Sequence, residues 1–163
     1  MTTPTPVDAR AFWGTIGQRA TGVTVVTASG PNGPAGLIAL SATHVTADPP
    51  TMLVAIDRRT SALAAVLAAG CFAINYLPRG AEAEAEAFGG RTEAKGADRF
   101  APGRWTTLIT GAPTHVEALG VMDCEMEETL ERHGVTLVLG RVLAVAAPGA
   151  GEPLIYFRGK YRT

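Results

Sequence analysis

The chain has 163 residues, 47% of them hydrophobic and 18% charged, with 19 glycines and 11 prolines. That is the length of one ordinary domain, able to bury a core without disulfide or metal staples, so residues 1–163 read as a single turn-rich globular unit and not a disordered chain. The 14 basic and 15 acidic residues leave a net charge of −1, which excludes a protein that holds nucleic acid by neutralising phosphates.

Cys71 and Cys124 stand far apart with no CxxC pair, so neither a disulfide framework nor a thiolate zinc site is indicated, and both read as packing residues. Residues 1–10, MTTPTPVDAR, lack the apolar core of a signal peptide. No apolar run approaches the ~20 residues of a membrane span. The expectation is a cytoplasmic protein with no membrane association.

In chain order, Asp8 reads as a helix cap and residues 9–19 as a short amphipathic helix carrying Phe12, Trp13 and Ile16. Residues 23–28, VTVVTA, are a strand by their β-branched content. Residues 29–36 form a hairpin connection with Asn32-Gly33 supplying its positive φ angles. A second strand follows at residues 37–40. Asp48-Pro49-Pro50 ends that segment, and residues 51–56 are a third strand. Ser61 caps an alanine-rich helix that Gly70 terminates.

Residues 71–76, CFAINY, form a fourth strand. Residues 81–87, AEAEAEA, alternate like a strand, but alanine and glutamate are strong helix formers, so a helix is expected. Residues 89–103 read as a loop and 115–119 as a short strand. In residues 122–127, Met122, Cys124 and Met126 alternate with Asp123, Glu125 and Glu127, the pattern of a half-exposed antiparallel strand. Residues 135–145 are apolar on both faces and predict a covered central strand. Residues 154–157 are the last strand. Many short strands and few helices, without regular alternation, point to an antiparallel β-barrel with peripheral helices. No glycine-rich fingerprint for a Rossmann site or a P-loop is present.

Two local constellations can carry chemistry. Arg58-Arg59-Thr60-Ser61 lies between a strand and a helix, where guanidinium forks, hydroxyls and a helix N-terminus suit phosphate oxygens. A solvated turn with Ser61 as a cap reads equally well. Ser41, Thr43, His44 and Thr46 can orient a polar ring or satisfy backbone groups. His44, His115 and His133 lack metal-site spacing, and no metal is expected. No nucleophilic triad is indicated, so any redox chemistry must come from a cofactor.

Taken together, the ordered pieces resemble the short-chain flavin reductase family, the NAD(P)H:flavin oxidoreductases of two-component monooxygenases. The resemblance rests on residues 20–28 (ATGVTVVTA), residues 36–50 ending in Asp48-Pro49-Pro50, and the basic turn 57–61. It continues through Phe72-Ala73-Ile74-Asn75-Tyr76-Leu77, Phe88-Gly89-Gly90, Asp98-Arg99-Phe100, Trp105 and Gly140-Arg141-Val142. It closes with PLIYFRGKY at residues 153–161.

The resemblance implies a mainly β fold, the split antiparallel β-barrel of the FMN-binding type, forming a homodimer with flavin near the interface. It implies transfer of hydride from NADH or NADPH to FAD or FMN, and delivery of reduced flavin to a partner monooxygenase. By the same resemblance, the segment from Gly36 to Thr46, with Gly36, Leu37, Ile38, Ala39, Leu40, Ser41 and Thr43 as its binding residues, runs along the isoalloxazine and ribityl chain. Arg58, Thr60 and Ser61 hold the phosphate, with Asp57 and Arg59 in the same cofactor-binding turn, and Asn75 and the Phe88-Gly89-Gly90 turn border the rest of the flavin.

Three departures from the family pattern stand out. Ile38 and Leu40 replace the usual Thr and Asn, and His44 stands where a small Ser is frequent. The family's Gly-Asp-His turn toward the nicotinamide is missing: its histidine position falls on Val135, two residues after His133. A two-residue shift keeps the same strand face, so His133 is the candidate catalytic residue bordering the nicotinamide, with a solvated turn histidine as the other reading. A non-catalytic flavin- or haem-binding barrel, and an interaction domain without cofactor, are the rival functions.

Overall fold

The computed structural model describes residues 5–162. The β-branched runs fold into one long antiparallel sheet. Its strands are β2 (Thr24–Gly30), β3 (Gly33–Ile38), β4 (Thr43–Ala47), β5 (Pro50–Asp57), β6 (Cys71–Tyr76), β9 (Gly120–Arg132) and β10 (Val135–Ala146). Their spatial order is β3-β2-β6-β9-β10-β5-β4. Two smaller units complete the β structure: β1 (Thr21–Gly22) with β11 (Ile155–Phe157) and β12 (Lys160–Arg162), and the ribbon of β7 (Trp105–Thr107) and β8 (Pro113–His115). The helices are α1 (Ala9–Ile16), α2 (Ser61–Ala69) and α3 (Glu82–Phe88), with a 3₁₀ turn at Gly96–Arg99.

Strands from opposite ends of the sheet share one core. Val26 and Ala28 of β2 pack with Phe72 and Ile74 of β6, Val138 of β10, and Met52, Val54 and Ile56 of β5. The sheet therefore curls on itself as a barrel, while β3 and β4 remain unpaired edges, among the described residues. That is the split barrel the sequence predicts. Helix α2 enters the same core through Leu63 and Val66, and its chain turns back at Gly70 in the left-handed conformation (φ 65°). A second cluster lies on the other face of β2: Val23 and Val25 pack with Leu77, Leu154 and Ala81, Ala85 and Phe88 around α3. The alternating AEAEAEA run is thus a helix, laid on the barrel by its alanines.

Several local expectations change. Helix α1 ends at Ile16, where the Gly17 N–H caps the Trp13 carbonyl. Gly30 pairs with Gly33, so Pro31-Asn32 form the hairpin loop, and of Asn32 and Gly33 only Gly33 takes a positive φ (97°). Ser61 is the first helical residue, with Thr60 at the cap position and no side-chain capping bond. Strand β4 is an addition to the expected strands; all its residues are exposed, so no apolar alternation marks it in the sequence. The short strand expected at 115–119 lies at Pro113–His115 instead.

In β9, Asp123 is fully buried, not solvent-facing. The ribbon side of the barrel covers it, and its carboxylate accepts the Ile109 and Thr110 N–H groups at 2.8 and 2.9 Å and the Thr110 hydroxyl. Cys124 on the core side is a packing residue, as expected; burial pushes its thiol up to about 12. Strand β10 is central, but its later half alternates, leaving Leu143 and Val145 exposed.

Gly140 marks how tightly β10 packs. A Cβ there would lie 2.6 Å from the Phe72 ring and 3.0 Å from Cys124 Cβ, whereas Gly22 has nothing within 4 Å. Phe72 is buried and has nowhere to retreat. Gly140→Ala should therefore cost about 1–3 kcal/mol by overpacking, read as a shifted urea midpoint, while Gly22→Ala leaves the midpoint nearly unchanged.

Candidate functional site

Where β3 runs out beside α3, the chain leaves a cleft of about 410 Å³. Its floor is Leu37, Ile38 and Leu40, and Phe88, Gly89 and Gly90 at the end of α3 form one wall. Thr60 contributes from the start of α2, and Tyr156 and Tyr161 from β11 and β12. The two tyrosines meet edge to face, with centroids 5.5 Å apart. Gly36 lies just behind the wall: a Cβ there would be 2.8 Å from the Phe88 ring and 3.0 Å from the Val26 carbonyl. The missing side chain is what lets α3 settle against β3.

Sequence reasoning missed four lining residues: Arg91, Arg99, Tyr156 and Tyr161. Arg91 pairs with Glu86 at 3.0 Å and lies 5.7 Å over the Tyr161 ring. Arg99 donates to the carbonyls of Ala94 (3.1 Å) and Gly36 (3.4 Å). The signal was present, since Arg99 and both tyrosines sit inside the motifs quoted for the resemblance and Arg91 directly follows Phe88-Gly89-Gly90.

The basic turn between β5 and α2 divides its two arginines. Asp57 accepts from the Arg59 N–H (2.9 Å), Nε (3.0 Å) and a terminal nitrogen (2.7 Å), so Arg59 is folded back on its own turn. These bonds, side-chain first and backbone second, hold the Asp57 carboxyl down to about 2. Arg58 has no carboxylate partner among the described residues. Its N–H donates to the Gly134 carbonyl at 3.0 Å, and its side chain runs over Gly134, 3.6 Å from where a Cβ would stand. Arg132 pairs with Val135, and His133 and Gly134 both have positive φ (48° and 81°), so they form the two-residue turn of the β9–β10 hairpin.

The structure thus brings Leu37, Ile38, Leu40, Thr60, Phe88 and Gly89 together around one cleft, with Gly36 behind it. Asp57, Arg58, Arg59 and Ser61 belong to the turn that supplies Thr60. Other expected residues are placed elsewhere. Ala39 is buried, and its carbonyl accepts the Thr24 hydroxyl. Ser41 is bound to the Ala55 backbone, and Thr43 pairs with Leu53 on the edge strand. Asn75 is fully buried, its amide donating to the Val25 carbonyl at 3.1 Å and accepting the His115 N–H at 2.8 Å. It stitches strands instead of facing the cleft. His133 sits at the exposed tip of the β9–β10 hairpin and is not among the residues that line the cleft.

An apolar floor, aromatic walls and guanidinium groups are chemically suited to a flat ring carrying an anionic tail. Residues 16–163 match the flavin reductase like domain, and the chain belongs to that family. It is 40% identical over 161 residues to a protein of Methylorubrum extorquens named FMN reductase (NADH) RutF 1, covering 97% of this chain and 78% of that one. Among solved structures it is similar to the NADH:FAD oxidoreductase SgcE6 of Streptomyces globisporus in complex with NAD and FAD fragments. The TM-score is 0.85 at 27% identity, covering 100% of this chain and 96% of that one. It is also similar to the styrene monooxygenase flavin reductase of Pseudomonas putida S12, with a TM-score of 0.81 at 28% identity, covering 93% and 95% of the two chains.

The Asp57–Arg59 clasp can be tested directly. In a carboxyl-carbon NMR titration Asp57 should protonate near pH 2, so the clasp persists above that pH and opens only as the pH falls through it. Arg59→Ala should return the midpoint toward the ordinary aspartate range. An unchanged midpoint in the variant would show that Arg59 is not its cause.

Proposed function

We propose that this chain is an NAD(P)H-dependent flavin reductase that supplies reduced FMN or FAD to a partner monooxygenase. The observation that carries the reading is the cleft itself: an apolar floor and aromatic walls open beside a turn whose Arg58 is not spent on a carboxylate. Residues 36–40 with Phe88 and Gly89 would hold the flavin ring, with Ser41 and Thr43 farther along the chain. The flavin phosphate would meet Arg58, Thr60 and Ser61. A flavin held there would supply the hydride-accepting chemistry, with reduced nicotinamide as the donor. The protein's own work is alignment and exclusion of water, for which Ile38 and Leu40 serve as well as polar residues. NADH is favoured by the name of the Methylorubrum relative. The haem-binding alternative finds no His, Cys or Met among the lining residues.

A homodimer completes the reading. Helix α1 has no buried residue and exposes Phe12, Trp13 and Ile16, while β10 exposes Leu143 and Val145. Exposed apolar area of this kind is what a twofold partner covers. No helix among the described residues is long and apolar enough to cross a membrane. A cytoplasmic location, where reduced nicotinamide is made, suits the chemistry.

NADH consumption on adding FMN or FAD, followed by absorbance, tests the reaction. Flavin binding without NADH consumption would leave a binder only. Arg58→Ala should weaken FMN binding by about 1.5–3 kcal/mol, the worth of a charge-assisted hydrogen bond, and leave riboflavin binding almost unchanged. An equal loss for both ligands would mean that Arg58 acts through packing. Light scattering at micromolar concentration should give the mass of two chains; a single-chain mass would overturn the dimer.

A further inference from the structure

Outside the cleft, the buried His115 at the end of β8 lies under the partly exposed side chains of Glu84, Arg104 and Glu117. The imidazole is fully buried. Nδ1 accepts the Glu117 N–H at 3.2 Å, so the single proton of the neutral ring is on Nε2. Nε2 is buried with no hydrogen-bond partner. It faces Glu84 Oε1 at 3.9 Å, beyond hydrogen-bonding range. That carboxylate oxygen is held at 2.8 Å by Arg104, whose other terminal nitrogen binds Glu117 at 2.6 Å. Burial lowers the His115 pKa and the Arg104 charge lowers it further, against the pull of Glu84 and Glu117, so the imidazole is neutral at pH 7.

Two paths lead from this group to the cleft. Glu84 precedes Phe88 by four residues on α3, hence lies on the same helix face. The His115 ring also meets Trp105 edge to face at 5.0 Å, and Trp105 meets Phe88 at 5.4 Å. Phe88 is a wall of the cleft. Resting on the flavin reading above, we propose that His115 and Glu84 are positioning residues that set α3, and with it the Phe88 ring, for flavin binding. The gap between them is the working part. Drawing Glu84 closer by about 1 Å would bring Nε2–H within hydrogen-bonding range, so a ligand that seats Phe88 completes a pair left open without it. A hydrogen bond made only in the bound state shifts the equilibrium toward that state.

The test uses the full chain. His115→Asn keeps an acceptor near the Nδ1 position and removes the Nε2 donor, while His115→Gln carries its amide toward the Nε2 position. Glu84→Gln keeps the volume and removes the charge. FMN dissociation constants, KM and kcat are measured for each variant, with urea midpoints alongside. His115→Asn should raise the FMN dissociation constant about 5–10-fold, the worth of one net hydrogen bond, and Glu84→Gln, which keeps an acceptor oxygen but loses the charge that strengthens the bond, should raise it less, with the KM for NADH and kcat nearly unchanged. His115→Gln should recover most of the loss.

Wild-type FMN affinity should be level above the histidine range and fall as the pH drops through the lowered His115 pKa. The imidazolium then turns a second N–H against that of Glu117 and adds a charge beside Arg104. His115→Gln should lack this acid limb. Unchanged FMN affinity in both His115→Asn and Glu84→Gln overturns the inference alone. So do losses that follow the urea midpoints with no recovery in His115→Gln. Wild-type protein that does not bind FMN overturns the flavin reading and this inference with it.

Discussion

Phe88 can lie against β3 only because residue 36 has no side chain, and the cleft depends on that contact. With a Cβ at Gly36, the ring would have to move from a position 2.8 Å away, and the Val26 carbonyl at 3.0 Å closes the other direction. The close approach seats α3 by Ala81, Ala85 and Phe88 on Val23 and Val25. It also places the Phe88 ring at edge-to-face distance from Phe100, 5.0 Å, and Trp105, 5.4 Å. The cleft wall is thus the outer surface of a packed aromatic cluster, so its shape is set by a core. A site built on packed elements holds its geometry better than one built on free loops.

Most of the barrel was legible because its strands are short, β-branched and bounded by turn residues. The CFAINY strand and the AEAEAEA helix needed nothing beyond local propensity. What could not be read locally is which faces are covered from a distance. Asp123 sits in strict alternation with apolar residues and reads as a solvent-facing carboxylate. The segment at Ile109 and Thr110 instead folds over it, and three donors compensate its burial. Asn75 carried the same ambiguity. Its resemblance to a flavin-facing residue came from its place in a motif, yet its amide ties β2 and β6 to the β7–β8 ribbon. A buried amide that joins three elements fixes their register, and no spacing in the sequence announces that.

The cleft was legible to a different degree. Leu37, Ile38, Leu40, Thr60, Phe88 and Gly89 were found because the resemblance runs through them. Arg91 and Arg99 were not, because what makes each one part of the site is its partner: Glu86 one turn back on the chain for Arg91, and the Gly36 carbonyl, 63 residues away, for Arg99. His133 shows the converse. Counting along a strand assigned it to the nicotinamide-facing side, but the hairpin turns there with positive φ at both His133 and Gly134, so strand alternation ends before it. A face argument holds only as long as the strand does.

The electrostatics of the cleft follow from how its cations are partnered. Arg59 is neutralised by Asp57 and Arg91 by Glu86, and Arg99 is spent on two carbonyl oxygens. Arg58, lying over the hairpin turn at Gly134, is the guanidinium of the basic turn with no carboxylate of its own. In a chain with a net charge of −1, Arg58 and Arg99, neither paired with a carboxylate among the described residues, create a local attraction for an anionic tail, without a broad positive surface that would collect polyanions. The floor does the complementary work. Ile38 and Leu40 offer no competing donor or acceptor, so a planar ligand is held by contact and by its tail, and it can leave without breaking a network of buried polar bonds. Modest and separable interactions of this kind suit repeated binding and release better than a tight polar clamp, because release has to follow each turnover.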